Sequence, residues 1–477
     1  MDDREKCLLI NSLIPEGGLF TGEKREIHPE SNASSRISPE PFWVLPEELE
    51  WFEELGTHLL RFYRASNLLY SQSVRGIQPS WVSAYLDCGK PEGVIEYNRM
   101  NRLKSQIPQV IRPDIIPSED GMVITELDSV PGFIGGTGCL GWMYAQLNYN
   151  VVGGSDGMIH GFAEMIRSLA KVEAPTLAIV VSDESDDYWA EMEWLASVLG
   201  DVGLSACALK PHEVIFTEEG LFFQVPHGAR TQIDVLYRFF ELFDLKNIPK
   251  SELMLYAAKK RSVVMTPPPK AYLEEKSLFA LFHHPILRPF WEEGLGKKTY
   301  AFLENVLPET WLLDPRPLPP HAVVPNLEID GVPVTDWRQI IDVTQRQREL
   351  VLKPSGFSEL AWGSRGVSIG HDLATEEWEA AVENALSCFE QTPYILQKFY
   401  KAKRVRMTYY DFERGDIQSM AGRPLLRPYY FVTGDKVRLG GIQAAICPAD
   451  KKILHGMVDS IIVPAALRTD ADVNPTE

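Results

Sequence analysis

The segment Arg112-Pro-Asp-Ile-Ile-Pro-Ser-Glu-Asp-Gly-Met-Val-Ile-Thr-Glu-Leu-Asp128 reads as a strand, a tight loop and a second strand. Two short β-like runs, Gln109-Val-Ile-Arg112 and Met122-Val-Ile-Thr-Glu-Leu127, flank the turn-rich Pro117-Ser-Glu-Asp-Gly121. Residues i and i+2 of a strand point to one face, so Glu126 and Asp128 project together, and pairing of the two strands would set Asp114 beside them. Three carboxylates on one face repel one another unless a cation sits between them. Hard oxygen ligands of this kind suit magnesium held jointly with substrate phosphates. The plainer alternative is a solvated strand edge with ordinary surface acids.

Further along, Val351-Leu-Lys353-Pro-Ser-Gly356 leads into a loop containing Glu359, Gly363, Arg365 and Gly366. A strand that delivers a lysine into a Gly-rich loop can set an ammonium and backbone N–H groups around a polyphosphate while the loop excludes water. The lysine precedes the glycines, so this is not a Walker A loop. Tyr394-Ile-Leu-Gln397-Lys398-Phe399-Tyr400 reads as a strand entering a hinge whose backbone can bond an adenine edge between apolar side chains.

Around these motifs the chain divides by texture. Residues 1–105 read as a mostly helical accessory region, with Trp51, Leu55, Leu59, Leu60 and Tyr63 at helical spacing. Residues 106–170 carry the acidic strands. Residues 171–262 read as a separate Rossmann-like α/β unit. There, Thr176-Leu-Ala-Ile-Val-Val181, a helix over 186–199 and Leu204-Ser-Ala-Cys-Ala-Leu209 fit a strand, a crossover and a parallel strand. Residues 263–465 carry the lysines, loop and hinge, and residues 466–477 read as a disordered tail.

Composition narrows the function classes. The 477 residues suffice for several units around a cleft. With 47 Lys and Arg against 66 Asp and Glu, the net charge of −19 disfavours nucleic acid and anionic membrane as partners. Cys7, Cys88, Cys139, Cys207, Cys388 and Cys447 show no CxxC or metal-finger spacing. The opening MDDREKC lacks the apolar core of a secretory signal and no window is long and apolar enough to span a membrane, which predicts a cytoplasmic protein.

In their order along the chain, these motifs resemble the circularly permuted ATP-grasp ligases of the glutathionylspermidine synthase-like family. The resemblance covers about residues 107–140 and 265–465. It implies an α+β and α/β architecture: a permuted ATP-grasp fold with the Rossmann-like unit inserted and a helical N-terminal region. It further implies ATP and Mg²⁺ as cofactors and a carboxylate–amine ligation through an acyl phosphate, with small-molecule or peptide substrates. By that resemblance Asp114, Glu126 and Asp128 match the metal ligands, and Arg112 the catalytic arginine, with Arg365 as a second. Lys276 (in Glu-Lys276-Ser-Leu) and Lys353 match the nucleotide lysines, Gly356, Gly363 and Gly366 the loop, and Gln397, Lys398 and Phe399 the adenine hinge. Asp128 stands where the family has Asn. Phe133 and its glycine neighbours replace the polar residues that hold glutathione, so that substrate does not carry over.

A competing motif follows the acids. Gly136-Thr-Gly138-Cys-Leu-Gly141 is a literal GxGxxG with Asp156 about twenty residues on, the mark of a nicotinamide-dependent oxidoreductase. Pro131 to Ile134 lengthens a turn that should be tight, and no apolar strand ends at Asp156. A third reading keeps the fold as a nucleotide-binding protein without turnover.

Overall fold

The computed structural model describes residues 1–20, 28–225, 228, 230–451, 454 and 459–468. Its largest sheet, eight-stranded among the described residues, joins segments from both ends of the chain. The order runs Phe42–Val44, Ile461–Leu467, Lys436–Pro448, Asp416–Thr433, Pro113–Ser118, Gly121–Leu127, with Val405–Asp411 and Val110–Ile111 also pairing with Asp416–Thr433. Pro113–Ser118 and Gly121–Leu127 form the expected hairpin, with Asp114 opposite Glu126 and a bulge just after Asp114. Leu426 on the long strand lies opposite Ile115, which brings residues over three hundred positions apart onto one floor.

Helix Pro46–Val74 covers this sheet. Proline in the first turn and Glu47 and Glu48 beside it start the helix well, because the missing N–H is not needed there and the acids complement the dipole. Leu55, Leu59, Leu60 and Tyr63 are buried as their spacing predicts. The approach is close: Tyr430 Oη donates to the Phe52 carbonyl at 2.6 Å, and a Cβ on Gly56 would lie 2.5 Å from the Tyr430 ring.

Thr176–Val181, Ser205–Leu209, Val235–Phe239 and Val264–Thr266 form a parallel four-stranded sheet, with helix Trp189–Asp201 linking the first two. Val235–Phe239 is buried throughout, as a strand covered on both faces must be. The edge strand Val264–Thr266 lies just past residue 262. A second four-stranded sheet, antiparallel, runs Thr310–Leu312, Tyr394–Lys398, Leu350–Pro354, Ser368–Ile369, and helix Thr375–Ser387 packs Trp378 against it.

Two sequence expectations need correction. Gly136, Gly138 and Gly141 lie inside helix Ile134–Gln146, not in a turn before it. The last strand runs through Leu467, and the Arg468 N–H donates to the Val44 carbonyl at 2.9 Å, so order extends past residue 466; residues 469–477 lie outside the described residues. Among the described residues no helix is long and apolar enough to cross a membrane. No two of the six cysteines are joined in a disulfide.

Candidate active site

The three sheets meet around a cavity of about 380 Å³. Arg112, Asp114, Glu126 and Asp128 line it from the hairpin, Lys276 from the start of helix Ser277–His283, and Lys353 from the end of its strand. The loop after Lys353 forms one wall through Gly356, Leu360, Ala361, Trp362, Gly363 and Ser364. A narrower slot of about 110 Å³ adjoins it, with Ile116, Val123, Val351, Ile369 and Leu425 as its apolar lining. Asp114, Glu126 and Lys353 border both spaces and stand between them.

Sequence reasoning missed Arg427. It lies on Asp416–Thr433, where Arg423, Leu425 and Arg427 share a face by the two-residue period. Its Nε donates to both oxygens of Asp114, at 3.3 and 3.2 Å. Arg112 reaches Asp114 at 3.2 Å and also pairs with Asp128. Nothing near Arg427 in sequence announces this role, because only the strand register brings it to the hairpin.

The acids therefore resolve their repulsion differently from the sequence expectation. The Arg112 guanidinium stands between Asp114 and Asp128, Arg427 adds a second pair to Asp114, and Glu126 faces Lys276 at 3.6 Å. Among the described residues no three His, Cys, Asp or Glu side chains are grouped to hold a metal ion. Mg²⁺ bound with phosphate asks for less, one or two carboxylates plus phosphate oxygens and water. Asp114, Glu126 and Asp128 all line the cavity; Glu126 and Asp128 are held by one cation each and Asp114 by two arginines, which leaves Glu126 and Asp128 the more accessible to such an ion.

Electrostatics follow from burial. Burial opposes ionisation of Asp114, but Arg427, Arg112 and Lys353 outweigh it and hold its pKa below the usual carboxylate value. Asp128 shifts the other way, because burial and the acids Asp114 and Glu126 prevail over Arg112. The Lys353 ammonium, 8% exposed, donates to the Thr125 carbonyl at 3.0 Å and to Gln397 Oε1 at 2.9 Å. Burial and the neighbouring Lys276 bring its pKa down to about 8, against the pull of Glu126 and Asp114. On the opposite wall burial raises Glu241 to about 7 and Glu274, which pairs with Arg238, to about 8.

The loop is anchored at its root. Ser355 Oγ accepts from the Ser277 N–H at 2.9 Å and donates to Glu275, its carbonyl accepts from the Lys276 N–H at 2.9 Å, and Lys90 pairs with the same Glu275. Both lysines are thus fixed to one buried joint. Gly356 is required there, since a Cβ would sit 2.8 Å from Glu275 Cδ and 2.9 Å from the Glu274 carbonyl oxygen. Gly363 adopts φ +61°, and Gly366 packs tightly on Pro354.

Not every sequence candidate reaches the cavity. Arg365 points outward, pairing with Glu184 at 2.9 Å beside Trp362. Gln397 borders the narrow slot, and its side chain bonds Lys353 and Thr310. The N–H groups of Lys398 and Phe399 already donate to the Glu309 and Glu349 carbonyls, both at 2.9 Å, although both residues border the narrow slot.

The dinucleotide motif is accounted for otherwise. At the start of helix Ile134–Gln146 the Glu191 carboxylate accepts from the Phe133 and Gly135 N–H groups at 2.9 and 2.8 Å, the place a pyrophosphate would take. Gly136 abuts the Phe133 ring and Gly138 abuts Ile159 and Met158, so these glycines serve packing.

No protein-family model matches the chain, and no curated protein sequence does. Among solved structures, a glutathione synthetase-like effector of Globodera pallida in its apo form superposes with a TM-score of 0.59 at 10% identity, over 98% of both chains. A putative γ-glutamylcysteine synthetase of Methylobacillus flagellatus gives a TM-score of 0.41 at 11% identity, over 81% of this chain and 87% of that one, too loose a match to assign a fold. The chain shares the overall fold of the synthetase-like effector.

Proposed function

We propose that this chain is an ATP- and magnesium-dependent ligase that joins a carboxylate to an amine through an acyl phosphate. In this reading its fold is a circularly permuted ATP-grasp, with residues 106–170 and 263–465 as the two parts, 171–262 inserted and 1–105 accessory. The observation that carries it is the wall shared by two spaces. Lys353, Asp114 and Glu126 stand between an apolar slot sized for a nucleobase and a charged cavity under a Gly-rich loop.

The base lies on Ile116, Val123 and Leu425, and the triphosphate passes Lys353 and Lys276 into the larger cavity. There the loop excludes water and the ammonium groups offset phosphate charge. Mg²⁺, when bound by Glu126, Asp128 and phosphate oxygens, would supply neutralisation of charge on the transferring phosphoryl group. A substrate carboxylate oxygen bonds the γ-phosphorus as the bridging P–O bond breaks and ADP leaves. Arg112 and Arg427 stabilise the resulting acyl phosphate and the oxyanion formed on its carbonyl. The amine nitrogen then bonds the acyl carbon, phosphate departs with the C–O electron pair, and Glu241, with a pKa near 7, accepts the ammonium proton.

A second reading, nucleotide binding without turnover, is favoured by the arginine clasp on Asp114 and Asp128. Release of ADP, screened against pooled amino acids, peptides and polyamines, separates the two. ADP formation that needs both a carboxylate and an amine supports the ligase; binding of ATP with no ADP release from any pool supports the second.

A further inference from the structure

The basic run Lys398-Phe-Tyr-Lys401-Ala-Lys403-Arg404-Val-Arg406 has no role in the reaction described above. It stands out in a chain of net charge −19. Lys401, Lys403, Arg404 and Arg406 are exposed, and none of them, nor Arg423, forms an ion pair among the described residues. Glu119, Asp120 and Glu349 line the open groove beside Lys398 and Lys401 without pairing to either.

Register sets Arg404 and Arg406 on one face with Arg423, and Lys401 and Lys403 precede them in the chain. Val405 lies opposite Gly422 and Arg406 opposite Ala421, so one step back sets Arg404 against Arg423. Arg423, Leu425 and Arg427 then follow along the same face of their strand into the two spaces of the site. Arg423 is only 8% exposed and borders the narrow slot. Its Nη1 donates to the Lys451 carbonyl at 3.0 Å, while its buried Nε has no partner among the described residues. Burial and the facing Arg404 both lower the pKa of Arg423, as expected for two guanidinium groups without an anion between them.

We propose that Lys403, Arg404 and Arg406, with Arg423 at their inner end, form an electropositive ramp that captures polyanionic nucleotide and guides it into the slot. This rests on the nucleotide reading of the site. The physical need is plain: a strongly anionic protein repels a nucleoside triphosphate, and a local run of cations free of ion pairs beside the slot-lining Arg423 restores attraction where entry must occur. Such steering acts on the association rate and leaves dissociation nearly untouched.

The test is stopped-flow binding of methylanthraniloyl-ATP with magnesium to the full chain and to the triple variant Lys403→Gln/Arg404→Gln/Arg406→Gln, whose exposed sites spare the fold. At low ionic strength the variant should associate about tenfold more slowly, with dissociation unchanged. The difference should vanish at about 1 M salt, where the screening length is roughly 3 Å. Substituting Lys403→Arg alone should preserve the rate. Equal association rates at low salt, or a loss carried by faster dissociation, would overturn the ramp while leaving nucleotide binding intact. Failure of the unsubstituted chain to bind the probe at all would instead overturn the nucleotide reading, and the ramp with it.

Discussion

Lys353 and Glu241 face the same cavity with pKa values near 8 and 7, set chiefly by burial. The lysine acts protonated, through its charge on phosphate, and the glutamate acts ionised, as proton acceptor. Activity should therefore rise with pH through about 7 as Glu241 ionises and fall through about 8 as Lys353 loses its proton. The resulting profile of kcat/KM is a narrow bell. Glu241→Gln should erase the acid limb and lower kcat by roughly 10²-fold. Lys353→Met should weaken ATP binding by about 10- to 100-fold, the loss of one charge-assisted hydrogen bond, read by calorimetric titration. Arg427 carries a stability prediction. Removing it leaves buried Asp114 with Arg112 alone, so Arg427→Met should cost about 3 kcal/mol in urea unfolding. A loss below about 1 kcal/mol would mean the clasp is not what holds the hairpin to the long strand.

At the scale of elements, the Gly-rich loop is a wall with a buried, hydrogen-bonded root and a tip held by exposed contacts. Gly356→Ala forces a Cβ into Glu275 and the Glu274 carbonyl, so it should destabilise by about 1–3 kcal/mol and weaken nucleotide binding together. Arg365→Ala removes the half-exposed pair with Glu184 and the guanidinium over Trp362, so it should change stability by about 1 kcal/mol or less and chiefly speed amide exchange over residues 358–366. Much of this element was legible in sequence, because a strand ending in Lys353 and a run of glycines have local causes. The direction of Arg365 was not, since Glu184 lies in the turn after Thr176–Val181, a strand of another sheet. The same limit explains the acidic strands: alternation set Glu126 and Asp128 toward one face, but the second arginine on Asp114 came from Arg427, over three hundred residues away. The GxGxxG was misleading for the opposite reason. Local spacing permitted a phosphate turn, and tertiary packing of Phe133, Met158 and Ile159 made it a helix.

For the whole molecule, the sheet built from strands within 42–44, 110–127, 405–448 and 461–467 joins early and late segments of the chain over one floor. That pairing places the acidic hairpin against the long strand, and the lysine-bearing sheet then caps the cavity. The pairing partner of each strand did not show in its own sequence. If the floor holds a nucleotide, ligand binding must stabilise the whole fold, since only the folded chain assembles the site. The most direct measurement is the thermal unfolding of the purified chain with millimolar ATP and magnesium, beside NAD and NADP at the same concentration. The ligase account predicts a rise of several degrees with ATP and magnesium, none with either dinucleotide, and a sharply reduced rise in Lys353→Met. Stabilisation by NAD or NADP without any by ATP, or no response to ATP at all, would contradict it.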